Sequence, residues 1–285
     1  MEVYTPVKLE ELTEKLSKEK KVFHFLAGGT DLFSSINRGI LHPEVLINLN
    51  SLKSSLDFIN ISTEHIEIGA LTTLQKIIDY ARFKQNAKLI PDSMYKALSS
   101  IGSVQIRNLA TLAGNIANAS PAADSIPSLL VEDGKINLLS TEGNRKIEVE
   151  KFYHGYKKTE IRPDEIIYSI EFNTAGDKEF SNFIKIGTRS AMTISKLNLA
   201  YKICADEIKL AAGSVSPFPM RLKTVEDCWF KAPPLTIEKI QEILTQEISP
   251  IDDIRSTANY RIKVLANIIF QIYSNNYFCF PDEVL

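Results

Sequence analysis

Apolar and polar positions along the chain recur with two periods, and the switches between them mark out short strands and helices. A short strand closed by Thr5-Pro6 precedes Leu9, Leu12 and Leu16, which recur at helical spacing with Glu and Lys between them. The run VFHFLAGG carries a strand into two glycines, and VLINL at 45–49 makes a further strand. HIEIGA at 65–70 alternates as a half-buried strand. Leu71 to Tyr80 then reads as a helix, with Thr72 or Thr73 as its N-cap. ADSIPSLLVEDGKINLLST reads as a helix or turn followed by a glycine-containing hairpin, and EIIYSIEF at 165–172 is another strand.

Polarity rises over TAGDKEF at 174–180, where Gly176 supplies a breaker and a weak boundary. Beyond it FIKIGTR and IKLAAGSV read as strands. ISKLNLAYKIC carries a mixed apolar pattern, part of it strand. The tail is mainly helical. PLTIEKIQEILTQ has apolar positions at 237, 240, 243 and 244, and STANYRIKVLANIIFQIYS repeats the pattern over about five turns. No solenoid-type repeat occurs. This mixture of short strands and helices agrees with an α+β fold.

Composition narrows the function classes. With 285 residues, 44% apolar and 24% charged, the chain can bury a large core without disulfides or structural metal. A formal net charge of −2 offers no basic field for nucleic acid, so a phosphate-bearing ligand must be held locally by backbone N–H groups. Cys204, Cys228 and Cys279 are far apart with no CxxC spacing, which argues against a zinc site or an iron–sulfur cluster in this chain. Three cysteines also make a poor disulfide framework, so a reducing, cytoplasmic setting is expected. The N-terminal stretch MEVYTPVKLEELTEKLSKEKK has neither a long apolar core nor a small-residue cleavage site, so no signal peptide is expected. No apolar run of about 18 residues occurs, so no membrane span is expected.

Two segments are unusual enough to suggest a ligand. In Leu26-Ala27-Gly28-Gly29-Thr30-Asp31-Leu32-Phe33, adjacent glycines after a strand let the backbone turn tightly and approach a ligand. Consecutive N–H groups there can form an anion nest, and Thr30 adds a hydroxyl. The pattern is neither GxGxxG nor a Walker A loop, and taken alone it better fits a strand-to-helix turn capped by Thr30 or Asp31. About 75 residues later, IGSVQIRNLATLAGNIANASPAAD at 101–124 combines small residues, amide side chains and one cation, Arg107. Such a run suits a polar ligand pressed against the main chain, or a tight backbone crossing with satisfied side chains. His24, His42, His65 and His154 do not cluster, and none reads as a catalytic base or metal ligand.

The pair AGGTDLF and IGSVQIRNLATLAGNIANASPAAD resembles the flavoprotein subunit of the xanthine dehydrogenase and carbon monoxide dehydrogenase group of molybdenum hydroxylases. Three later segments continue the likeness in order. FIKIGTRSAMTISKLNLA resembles the family's K-x-x-x-R-x-A-x-x-I-S region. AAGSVSPFPMR resembles the turn that follows it, and DDIRSTANYRIKVLANII resembles the D-x-R-a-S-a-x-Y-R helix. The likeness covers nearly the whole chain. Where the family often has Gly-Gly-Asn, this chain has Ala113-Gly114-Asn115, which Ala113 tolerates only at negative φ.

The resemblance implies a fold and a set of roles. The fold is a two-subdomain FAD-binding domain of the PCMH, vanillyl-alcohol-oxidase-like type over residues 1–175, with subdomains of about 1–57 and 58–175. A C-terminal α+β domain at 176–285, with a small antiparallel sheet and helices, completes it. Leu26 to Phe33 would hold the FAD diphosphate and ribityl chain, and Thr111, Gly114 and Asn115 would line the ribityl–isoalloxazine side. Asp124 would accept from ribityl or ribose hydroxyls, or else cap the helix at 125–131. Lys185 would lie near the flavin ring and stabilise its anionic reduced form. Ile101 and Ile167 fall at contact positions, although Ile167 is equally a buried strand residue. Arg107 either neutralises the diphosphate or braces the loop. Arg255, Tyr260 and Arg261 read as structural residues on an amphipathic helix. The implied activity is electron transfer between the [2Fe–2S] clusters of one partner subunit and an acceptor such as NAD+, with the molybdopterin on another partner. The alternative is a stand-alone FAD oxidase or dehydrogenase acting on a small substrate.

Overall fold

The computed structural model describes residues 1–83, 89–176, 178–231 and 233–277. Cys279 lies outside them.

The chain opens with a parallel sheet: β1 (Glu2–Tyr4), α1 (Leu9–Lys18), β2 (Phe23–Leu26), α2 (Leu32–Asn37) and β3 (Val45–Asn48), with β3 between β1 and β2. The leucine spacing of α1 puts Leu12 and Leu16 on one buried face. After α3 (Lys53–Leu56) come β4 (Ile59–Ile61), β5 (His65–Gly69), α4 (Leu74–Phe83), α5 (Asp92–Ser99), α6 (Val104–Arg107), α7 (Leu112–Ala117) and α8 (Ser125–Val131). They are followed by β6 (Lys135–Ser140), β7 (Gly143–Glu148), α9 (Val149–Phe152), the hairpin of β8 (Tyr153–Gly155) and β9 (Lys158–Thr159), and β10 (Ile166–Asn173). The second sheet is antiparallel, in the order β4-β5-β10-β6-β7. Helix α4 starts after both threonines because Thr73 Oγ1 accepts from the Lys76 N–H at 3.2 Å, whereas the Thr72 hydroxyl donates to the Phe58 carbonyl.

The last part holds β11 (Phe180–Ile186), β12 (Leu197–Ile203), β13 (Ile208–Gly213) and β14 (Met220–Arg221) in one antiparallel sheet, then α10 (Lys223–Cys228), α11 (Ile237–Glu247) and α12 (Ala258–Tyr277). Every residue of β12 is buried, because the strand has a core on each face. Leu197, Leu199, Tyr201 and Ile203 pack with α11 and α12. The alternate residues point the other way, where Ala200 joins the core built around α5 and α8. Asn198 and Lys202 share that second face, which explains the mixed pattern of ISKLNLAYKIC.

Lys202 ends in a buried network at this seam, 3.2 Å from Glu132 Oε2 and 2.7 Å from Glu179 Oε2. The Ser93 hydroxyl donates to Glu132 Oε1 at 2.8 Å. Burial pushes the Glu132 carboxyl upward, opposed by the Lys202 charge.

One expectation is corrected. Arg255 lies ahead of α12 rather than on it, because Asp253 holds the chain in a tight turn there: its Oδ1 accepts from the N–H groups of Arg255 and Ser256 at 2.8 and 3.1 Å. Tyr260 and Arg261 are on the helix, the former half-open beneath the Lys196 ammonium and the latter buried.

Candidate functional site

Strand β2 delivers the chain into Ala27-Gly28-Gly29-Thr30-Asp31, and α2 takes over at Leu32. Gly29 has φ +68, a left-handed turn that glycine adopts at no steric cost, and the Phe33 ring packs against it. Among the described residues none accepts a hydrogen bond from the N–H groups of Gly29, Thr30 or Asp31. Such a run of free donors suits an anion such as a diphosphate. The Asp31 side chain makes no capping bond, so the capped-turn reading does not describe this loop. Leu26, Ala27 and Leu32 are half-buried around it, and Phe33 is 43% exposed.

The second segment folds as two short helical turns, each capped by its own side chain. Ser103 Oγ accepts from the Ile106 N–H at 3.3 Å, and Thr111 Oγ1 accepts from the Gly114 N–H at 3.0 Å. Ala113 lies inside α7, so its φ is negative and the missing second glycine costs nothing. Asn115 Oδ1 accepts from the Ser125 hydroxyl at 2.6 Å. Arg107 braces the loop: Nη1 donates to the carbonyls of Ser99, Ile101 and Gly102 at 3.0–3.3 Å, and Nε to Gln75 Oε1 at 3.1 Å. Nη1 and Nε of that guanidinium are committed to protein acceptors.

The two segments meet. Gly28 lies so close to the main chain of Leu109 and Ala110 that an added Cβ would run into the Leu109 carbonyl. On its other side this stretch is tied to α4, with the Leu74 N–H donating to the Ala110 carbonyl at 2.9 Å and Thr111 bridging to Thr73. The diphosphate-type nest and the Thr111–Asn115 turn therefore share one locality.

A third piece arrives from the C-terminal sheet. Lys185, on β11, donates to Asp124 Oδ2 at 2.6 Å and to the Ser100 carbonyl, next to Ile101, at 3.0 Å. Asp124 Oδ1 accepts from the Ser195 hydroxyl at 2.6 Å and from Asn198 Nδ2 at 2.7 Å. Asp124 occupies the N-cap position of α8 but makes no capping bond. Its carboxylate is instead the point where the sheet is fastened to α8. Ile167 is buried in the first core at a bulge in β10, the strand on which α7 packs.

Sequence reasoning missed Ser100, Ser125, Ser195 and Asn198. Ser195 was legible as the final residue of the I-S motif. Asn198 could have been found as a polar residue at an inward position of an otherwise apolar alternating strand. Among the described residues no group of three or more His, Cys, Asp or Glu could hold a metal ion, and no helix is long and apolar enough to cross a membrane.

Comparison with known proteins gives this architecture its class. Residues 1–173 match the family described as the FAD binding domain in molybdopterin dehydrogenase, and residues 182–275 match the CO dehydrogenase flavoprotein C-terminal domain. The chain belongs to this family of FAD-binding flavoprotein subunits of molybdenum hydroxylases. It is 29% identical to the nicotinate dehydrogenase FAD-subunit of Eubacterium barkeri, over 85% of this chain and 83% of that one. It is 28% identical to a xanthine dehydrogenase FAD-binding subunit of Escherichia coli, over 87% of each. Its fold matches a chain of the carbon monoxide dehydrogenase of Hydrogenophaga pseudoflava with a TM-score of 0.84 at 20% identity, covering 95% of both.

Proposed function

We propose that this chain is the electron-relay subunit of a molybdenum hydroxylase complex. In this reading it holds FAD between the Gly28–Asp31 loop and the Thr111–Asn115 turn, with Lys185 beside the flavin ring. The observation that carries it is the close approach of Gly28 to the Leu109 carbonyl, which makes one locality of two segments remote in sequence. The nest donors of Gly29, Thr30 and Asp31 suit the diphosphate, with Leu26, Ala27, Leu32 and Phe33 framing the loop. Thr111, Gly114 and Asn115 would border the ribityl side, and Ile101 and Ile167 would pack nearby. The flavin-binding part would span residues 1–175 and the C-terminal part 176–285.

The bound flavin would accept electrons singly and deliver them in pairs. The chain's own residues bind and orient it and set the local charge. Because Lys185 and Asp124 neutralise each other, the ring would meet a nearly balanced pair rather than a bare cation. The electrons would come from [2Fe–2S] clusters on a partner subunit and leave to NAD+ or another acceptor, with the molybdopterin on a further partner. Relatives named as subunits or medium chains of nicotinate, xanthine and glyceraldehyde dehydrogenases support this reading. We also place the complex in the cytoplasm.

The test is reconstitution of the purified chain with FAD, followed by reduction through the purified iron–sulfur partner. One flavin per chain, reduced through the partner and not by an organic substrate alone, is the expected result. No retained flavin, or direct reduction by the substrate, overturns it.

A further inference from the structure

The D-x-R-a-S-a-x-Y-R segment lies on the far side of the C-terminal sheet from the glycine loops, yet hydrogen bonds connect it to Lys185 without a break. Asp253 Oδ1 accepts from Arg261 Nη2 at 2.7 Å. Arg261 Nη1 donates to the Ser214 carbonyl at 2.8 Å. The Ser214 hydroxyl donates to the Ser195 carbonyl at 3.0 Å, the Ser195 hydroxyl to Asp124 Oδ1 at 2.6 Å, and Lys185 to Asp124 Oδ2 at 2.6 Å. Arg261, Ser214, Ser195 and Asp124 are 3, 5, 1 and 6% exposed, so water does not compete for these bonds.

Ser214 is the informative member. Its φ is +63, a left-handed conformation that costs a non-glycine residue on the order of 1 kcal/mol or more. Every polar group of Ser214 is occupied: its N–H donates to the Pro121 carbonyl at 2.8 Å, its carbonyl takes Arg261, and its hydroxyl takes Ser195. Glycine would fit this backbone with less strain but could not make the hydroxyl bond. The side chain that carries the strain is the one that joins the α12 segment to Ser195.

We infer that Asp253, Arg261, Ser214 and Ser195 are positioning residues for the Asp124–Lys185 pair, and through it set the reduction equilibrium of the flavin. The inference rests on the FAD assignment above. Ser195 and Asn198 fix Asp124 so that Oδ2 faces Lys185. Loosening Ser195 leaves the carboxylate charge less compensated and Lys185 less well placed, and both changes make the flavin harder to reduce. Coupling of this kind is established by non-additivity rather than by the chain of contacts alone.

The experiment equilibrates the full chain, reconstituted with FAD, against a redox dye of known potential. Ser214→Gly is expected to be at least as stable as the parent and to keep its flavin, yet to shift the flavin–dye equilibrium at least threefold toward oxidised flavin. Arg261→Lys shifts it the same way, and combining either with Ser195→Ala adds nothing to the larger single effect. Arg221→Lys, in a partly buried ion pair of the same sheet outside the chain of bonds, leaves the equilibrium unchanged. If Arg261→Lys does not fold, Ser214→Gly carries the test. An equilibrium within twofold of the parent in Ser214→Gly, full additivity, or an equal shift in Arg221→Lys overturns the inference while the FAD assignment stands. A parent chain that takes up no flavin overturns both.

Discussion

Lys185 and Asn198 face each other across β11 and β12 and donate to the two oxygens of one carboxylate, that of Asp124. The residue pair is set by strand register, and a slip of one position in either strand would turn that strand's side chain away from Asp124. The Lys185 cation is thus placed by sheet geometry, and its electrostatic environment by an acid from another part of the chain.

Gly28→Ala should abolish flavin retention. The atoms nearest the new methyl would be main-chain atoms of Leu109 and Ala110, which cannot move as a flexible side chain could. The overpacking should cost about 1–3 kcal/mol. Flavin absorbance per chain and a urea titration check this, and a variant that keeps both its flavin and its midpoint contradicts the proposed meeting of the two loops.

Replacing Lys202 by Met should be worse than replacing Lys202 and Glu132 together. The single change strands a buried carboxylate, with side chains 5 and 1% exposed, at about 3–5 kcal/mol. Lys202→Met with Glu132→Gln should recover a large part of that loss. Urea midpoints of the parent, the two single variants and the double variant decide the matter.

Arg107→Ala should destabilise the chain by about 2 kcal/mol, since a charged group leaves three carbonyls. Because Nη1 and Nε of this guanidinium are committed to the protein, the salt dependence of FAD binding should not change. Titration at low and high salt is the measurement, and a flattened salt dependence would assign Arg107 to the diphosphate instead.

Stability should fall in acid partly through Asp253. Burial raises its pKa, but the N–H groups of Arg255 and Ser256 and the Arg261 charge outweigh that and hold it at about 2, below its ordinary 3.8. A depressed folded value gives stabilisation that is fully present above pH 3.8 and lost as the pH falls through about 2. With water's screening at this partly open turn, the contribution is about 1–2 kcal/mol. Asp253→Asn should remove that slope from the stability–pH curve measured between pH 5 and 2.

Much of the framework was legible in the sequence. The leucine spacing of α1, the alternation of β5 and the apolar rows of α11 and α12 are local patterns, and local periodicity settles helix against strand. The glycine pair was visible because a left-handed turn needs glycine, and the Thr111–Asn115 turn because it lies in a run dense in small and amide residues. Tertiary structure alone decided that Gly28 meets Leu109, that Arg107 serves three carbonyls, and that Asp124 is held by Lys185 and Asn198, residues 61 and 74 positions away. The reason is physical: a carboxylate in the sequence advertises only its capacity to accept hydrogen bonds, and which donors fill it depends on how two sheets and the helices between them are brought together.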